Sequence, residues 1–206
     1  MKRPLFKILS IILCTQLIII SGCKKKENNI NTVSSYLKNL TSYSTEAEIK
    51  VYNNKENYTY KTNQYYSKGN GSRLEIGKDR VYIYLDDNIY VKDLINEYSY
   101  FTKKNTDGIF RLSLIEEYIA LLYTNENIKY SYKNIKGQKY QLIELYIPGN
   151  NRNISKAILY VNIKNKLPNK ICILDSRNQE KVEVVYKDFK PSIQVNKDLF
   201  NIKDIQ

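Results

Sequence analysis

The chain has 206 residues and a formal net charge of +12, with no histidine and no tryptophan. Without histidine the usual Ser-His-Asp and Cys-His arrangements are excluded, as is the commonest zinc ligand, so the composition points away from hydrolase chemistry. The charge suits an anionic membrane face, a wall polymer or an acidic partner protein, although abundant Lys, Asn, Ile and Tyr are also the pattern of AT-rich coding, which accounts for much of the excess.

Residues 8–23 read ILSIILCTQLIIISGC, with Lys2, Arg3 and Lys7 before them and Lys24, Lys25 and Lys26 after. An apolar run of about a dozen residues is too short to span a bilayer, which needs about 20. A basic start, a short apolar middle and small residues before a break are the marks of a secretory signal. The break, Ile20-Ser21-Gly22-Cys23, resembles the lipobox of bacterial lipoproteins. The resemblance implies cleavage between Gly22 and Cys23, then diacylglycerol on the Cys23 sulfur and an acyl chain on its nitrogen. An ordinary signal peptide or an N-terminal anchor with an incidental cysteine is the alternative.

The expected organisation is a signal peptide (1–22), a lipidated polar tether (23–29) and one domain (30–206), placed outside the cytoplasm on the cell membrane. Such a protein does not normally meet nucleic acid. The cut removes three of 33 basic residues and leaves 21 acidic ones, a mature charge of +9. Lys24, Lys25 and Lys26 are candidates for contact with anionic lipid, at roughly 1 kcal/mol each. Cys14 leaves with the signal, so Cys172 is the one remaining thiol. It sits in the apolar run 170–174 and reads as buried and inert.

From residue 30 the pattern is helical, with Val33, Tyr36, Leu37 and Leu40 on one stripe. At Tyr43 the period becomes two: Tyr43, Thr45, Ala47, Ile49 and Val51 alternate with polar neighbours, as in an antiparallel strand with one wet side. Further strands are expected at 57–67, 72–76, 80–85, 89–91 and 97–102, separated by polar turns. Residues 107–123 return to helical spacing, with a stripe wide enough for a helix buried across a curved sheet. Strands resume at 128–132, 140–147, 154–163, 170–175 and 182–186. The tail, 189–202, is partly extended, with Phe200 as a late plug in the core. The fold class is therefore mainly β: a curved antiparallel sheet of about 11 strands with helices across its concave face.

Several phrases carry a family resemblance: Lys61-Thr62-Asn63-Gln64-Tyr65-Tyr66-Ser67-Lys68, Ser72-Arg73-Leu74-Glu75-Ile76-Gly77, Asp79-Arg80-Val81-Tyr82-Ile83-Tyr84, Ala157-Ile158-Leu159-Tyr160-Val161, Leu174-Asp175-Ser176 and Val184-Val185-Tyr186-Lys187-Asp188-Phe189. With the element order, they resemble the clostridial GerS-related germination lipoproteins, a branch of the LolA-like fold. That resemblance implies an unclosed β-barrel. It also implies a non-enzymatic role in spore formation and germination, supporting cortex modification by binding and activating a zinc-dependent N-acetylmuramoyl-L-alanine amidase. No catalytic residue, metal or cofactor is expected in this chain. Tyr52, Tyr58, Tyr60, Tyr82, Tyr84 and Tyr90 are the candidate partner surface, as amphipathic anchors on an aromatic wet face. The alternative function is a carrier of lipid or another hydrophobic ligand, which requires a roomy apolar cavity between sheet and helix.

Overall fold

The computed structural model describes residues 30–149 and 151–204. The expected signal peptide and tether, with Cys23 and Lys24, Lys25 and Lys26, lie outside the described residues. Eleven strands form one sheet: β1 (Ser42–Tyr52), β2 (Asn57–Ser67), β3 (Gly71–Ile76), β4 (Arg80–Leu85), β5 (Asn88–Asp93), β6 (Tyr98–Lys103), β7 (Lys129–Ile135), β8 (Gln138–Tyr146), β9 (Lys156–Asn162), β10 (Pro168–Leu174) and β11 (Glu180–Pro191). Among the described residues two α-helices accompany them, α1 (Ile30–Lys38) and α2 (Ile115–Thr124). Among the described residues no helix is long and apolar enough to cross a membrane.

The order across the sheet is β6-β5-β4-β3-β2-β1-β11-β10-β9-β8-β7, and every neighbouring pair is antiparallel. Two sequential meanders are thus joined where the first strand meets the last, and among the described residues β6 and β7 are the edge strands. The fold is mainly β and the sheet unclosed, as the sequence predicts.

The alternation in β1 sets the inner face. Tyr43, Thr45, Ala47 and Ile49 are buried, and their partners on β11 include Tyr186 and Val184. A bulge near Asp188 (φ 49°) shifts the phase of β11, so that Phe189 as well as Tyr186 turns inward. The Phe189 ring stacks on Tyr43 at 5.0 Å. Gly71 opens β3 at φ +100°, and a Cβ there would collide with the Tyr84 carbonyl oxygen; only glycine fits.

The second helix begins later than its apolar spacing predicts. Asp107 captures the local amides instead: Oδ1 accepts from Ile109 N (3.1 Å) and Phe110 N (3.0 Å), and Oδ2 from Arg111 N (3.0 Å). Such side-chain bonds compete with helical ones. They give a 3-10 turn at Arg111–Ser113, then an extended Leu114 (ψ 130°), before α2 starts at Ile115. Ile115, Tyr118, Ile119 and Leu122 fill the space between α2 and the sheet, joined by Val33 and Leu37 of α1. Phe200 is buried but not in that core. Its turn, Lys197–Phe200, packs on β3, where Arg73 Nη1 donates to Leu199 O. Arg73 belongs to the outer face, so the tail covers the back of the sheet.

Candidate protein-binding edge

The six tyrosines expected to share one surface are divided by the fold. Tyr82 and Tyr84 are buried, at 8% and 1% exposure. Tyr82 and Tyr60 pack against Phe110, at 5.6 and 5.2 Å between rings, and Tyr84 Oη donates to Asp107 Oδ2 at 2.6 Å. Tyr82 and Tyr84 are therefore core residues, a correction to the surface expected for them. The cause is that β4 is covered on both sides: Val81 and Ile83 are buried on its outer face while Tyr82 and Tyr84 are buried on the inner. With no wet side, the Val-Tyr-Ile-Tyr run carries no readable alternation. Tyr52 and Tyr90 are half-buried on the outer face, Tyr60 is half-buried on the inner, and Tyr58 is exposed.

The aromatic surface lies instead on the free edge formed by β6 and the turn before it. Phe101 is 71% and Ile95 67% exposed, with Leu94, Tyr98 and Tyr100 also exposed. Tyr98 stacks on Tyr100 (5.9 Å), and Phe101 packs against Tyr90 of β5 (6.3 Å), so the rings are braced before any partner arrives. Asp93 shapes the turn. Its Oδ1 accepts from Ile95 N (3.1 Å) and Asn96 N (2.9 Å), and its Oδ2 accepts from Arg80 Nε (3.0 Å). The Asn96 amide, with Arg80, holds this carboxyl below its ordinary range. A turn fixed in this way directs Leu94 and Ile95 into solvent. Adjacent Leu and Ile between two strands are the sequence signal for this patch, one that a search for tyrosines alone does not register.

A second polar constellation lies where α2 meets the sheet. Tyr43 Oη accepts from Ile115 N (3.1 Å) and donates to a carboxylate oxygen of Glu116, whose other oxygen accepts from Ser72 Oγ. Burial pushes the Glu116 carboxyl up to about 7, against the two hydroxyl bonds that favour its charge. Tyr118 Oη donates to Ile143 O (2.5 Å) and Tyr186 Oη to Ser113 O (2.6 Å). Beside them Gln64 Nε2 donates to Ser113 Oγ (3.0 Å). These are long-range struts between sheet and helix, made by neutral hydroxyls around one carboxylate.

Cys172, Glu180 and Glu183 bring their ligand atoms together on the outer face. Burial, aided by Glu180, pushes the thiol up to about 11, and Lys170 Nζ sits 2.8 Å from Glu183. A protonated thiol and a carboxylate already paired with lysine are poor metal ligands. A cleft of about 580 Å³ opens at the sheet rim beside the β1–β2 turn, with Val51, Ile109, Ile154 and Val182 among its apolar lining.

The family model described as "Sporulation protein YdcC-like" matches residues 1–200. The chain belongs to the YdcC-like sporulation protein family. No curated protein matches it. Among solved structures, this YdcC-like chain is similar to an uncharacterized conserved protein from Thermus thermophilus (TM-score 0.56, 9% identity, covering 88% of this chain and 98% of that one). It is also similar to a putative outer membrane lipoprotein-sorting protein domain from Vibrio parahaemolyticus (TM-score 0.50, 12% identity, 88% and 98% covered). These likenesses agree with the unclosed antiparallel fold expected from the sequence. A third similar structure is GerS from the complex of the CwlD amidase of Clostridioides difficile with the GerS lipoprotein (TM-score 0.47, 29% identity, 81% and 95% covered).

Proposed function

We propose that this YdcC-like protein is a lipid-anchored, non-enzymatic envelope protein of spore formation that binds a cell-wall amidase and supports its activity. The observation that carries a protein-binding role is the braced aromatic edge: β6 ends the strand order of the described residues and carries the exposed rings of Tyr98, Tyr100 and Phe101. Exposed apolar patches with aromatic anchors mark partner contacts. Membership of the sporulation family supports the setting, and the phrases that resemble the GerS-related lipoproteins suggest the class of partner. The anchor is Cys23, cleaved from Gly22 and acylated, with Lys24, Lys25 and Lys26 against anionic headgroups. The protein contributes a surface rather than a reaction: among the described residues the one strongly perturbed carboxyl, Glu116 of α2, is tied to Tyr43 and Ser72 of the sheet.

A second reading, a hydrophobic-ligand carrier, is favoured by the LolA-like fold and the apolar lining of the 580 Å³ cleft. Against it, Ile115, Tyr118, Ile119 and Leu122 occupy the space beneath α2. Co-purification with the cortex amidase of the same organism tests the first reading. A complex at micromolar concentration is expected, lost in Ile95→Asp/Phe101→Asp with the fold intact. A complex indifferent to that pair of changes refutes the edge as the contact. Labelling with radioactive palmitate, abolished by Cys23→Ala, tests the anchor.

A further inference from the structure

The positive charge of this protein is not spread over it. Of the net +12, residues 1–29 hold six basic groups and one acid, which leaves +7 for residues 30–206. Residues 127–174, the span of β7 to β10, hold nine basic groups and a single acid, Glu144, a net +8. Everything else in the domain therefore sums to −1. A coding bias toward lysine raises both wings of a sheet alike; it does not gather the surplus on one.

Within that wing the charge converges on one end. The β7–β8 turn and the β9–β10 turn are neighbours there, bonded through Ile163 N to Lys139 O (3.1 Å) and Asn162 Nδ2 to Gln138 Oε1 (3.0 Å). They border a cleft of about 510 Å³ lined by Gly137, Gln138, Lys139, Ile163, Lys164 and Asn165. Lys139 and Lys164 line it; Lys136 and Lys166 of the same two turns, and Lys133 just before them on β7, are also exposed. The ion pairs of the wing lie elsewhere, Lys129 with Glu144 and Lys170 with Glu183. Lys139 Nζ rests over the Tyr132 ring (4.9 Å) and Lys166 Nζ over the Tyr36 ring of α1 (5.9 Å). Lysines paired with tyrosines suit a membrane interface, where the ring sits at headgroup level and the ammonium meets phosphate.

We infer that the β7–β10 wing, through the lysines of its two adjacent turns, docks on the anionic headgroups of a lipid bilayer. The contact with α1 favours a bilayer over a wall polymer. Tyr36 lies 13 residues after Cys23, and the seven residues from Cys23 to Ile30 reach at most about 25 Å. An anchor at Cys23 therefore holds this wing close to the surface that its charge fits, and leaves the β6 edge, at the opposite side of the sheet, free for a protein. The inference deepens the anchored reading, and its test is made without the lipid so that the two fail separately.

Unlipidated protein spanning residues 23–206 with Cys23→Ala, which retains the whole described core, is sedimented with vesicles of phosphatidylcholine alone or with about one-third phosphatidylglycerol. Binding to the anionic vesicles is expected, weakening steeply with salt. Each lysine adds about fivefold to partitioning. Lys133→Gln/Lys136→Gln/Lys139→Gln/Lys164→Gln therefore loses about two orders of magnitude or more. The matched set on the other wing, Lys55→Gln/Lys61→Gln/Lys68→Gln/Lys78→Gln, removes the same charge and stays within a few-fold of the parent. Equal loss in both sets, equal binding to neutral vesicles, or binding only to a soluble anionic wall polymer overturns the inference.

Discussion

Glu116→Gln isolates a carboxyl whose charge the fold disfavours. Burial raises it from 4.5 to about 7. The sign follows from proton binding: between those values the folded chain holds a proton that the unfolded chain has released, so stability falls as pH rises through 7. The interval of about 2.5 units corresponds to an upper bound of about 3 kcal/mol at pH 8. The residue keeps partial solvent access, which screens the charge, and about 1–2 kcal/mol is the working figure. Glutamine keeps one acceptor oxygen for one of the Tyr43 and Ser72 hydroxyls, offers the other an NH2 that it can accept from, and removes the ionisation. For a domain of this size each kcal/mol is worth about 2–4 °C. The variant is thus expected to melt about 2–8 °C above the parent at pH 8 and to converge with it near pH 5. Calorimetry of both proteins across that range checks it, because their difference cancels every other titration. A difference that is constant with pH, or largest at pH 5, refutes the account of Glu116.

Gly71→Ala places a methyl against the Tyr84 carbonyl at φ +100° and is expected to destabilise by about 1–3 kcal/mol in denaturant unfolding. Tyr118→Phe removes the hydroxyl between Ile143 O and Leu159 N and costs about 1–3 kcal/mol, read in the same assay. Cys172, buried with its thiol pushed up to about 11, is expected to resist a disulfide reagent at pH 8 until the chain unfolds; labelling kinetics that follow global unfolding check this. Asp93→Ala frees the Ile95 and Asn96 amides and is expected to weaken the amidase complex through a loosened turn while changing the melting temperature less than Gly71→Ala does.

The parts of the fold legible in the sequence are those where one face is wet. The residues of β1 alternate without a break, and β2 starts and stops where turn residues say it should. What the sequence hides is set by distant partners. The start of α2 depends on Asp107 competing for amides, and Asp107 in turn is held by Tyr84 from β4, 23 residues earlier. Tyr82 and Tyr84 read as surface only because nothing local tells that Phe110 covers Tyr82 or that the Val81–Ile83 side is covered too. The bulge at Asp188 turns Phe189 inward by a phase change that a two-residue period cannot anticipate. The charged wing is fully present in the sequence. It is obscured when charge is read as a total rather than by strand.

The two free edges are built differently, and the difference bears on how the molecule is used. An unpaired edge strand invites another chain, and proteins guard such edges with charge, lysine above all. Strand β7 follows that rule, with Lys129 and Lys133 exposed along seven residues and Lys139 lying over its one exposed aromatic ring, Tyr132. Strand β6 breaks it: three of its six residues are Tyr98, Tyr100 and Phe101, and its one lysine is at the end. A sheet that protects one edge and leaves the other bare and aromatic has a use for the bare one. If the edge were a mere tolerance of composition, a lysine-rich chain would have supplied lysine to β6 as it did to β7. Charge at β7 also suits the proposed bilayer contact, and β6 stands at the other end of the strand order. Ile95→Lys/Phe101→Lys tests the asymmetry directly. It is expected to leave the melting temperature within about 2 °C, since both residues are largely solvated, and to abolish amidase binding by repelling the partner strand. Retained binding would mean that the edge is bare without being used.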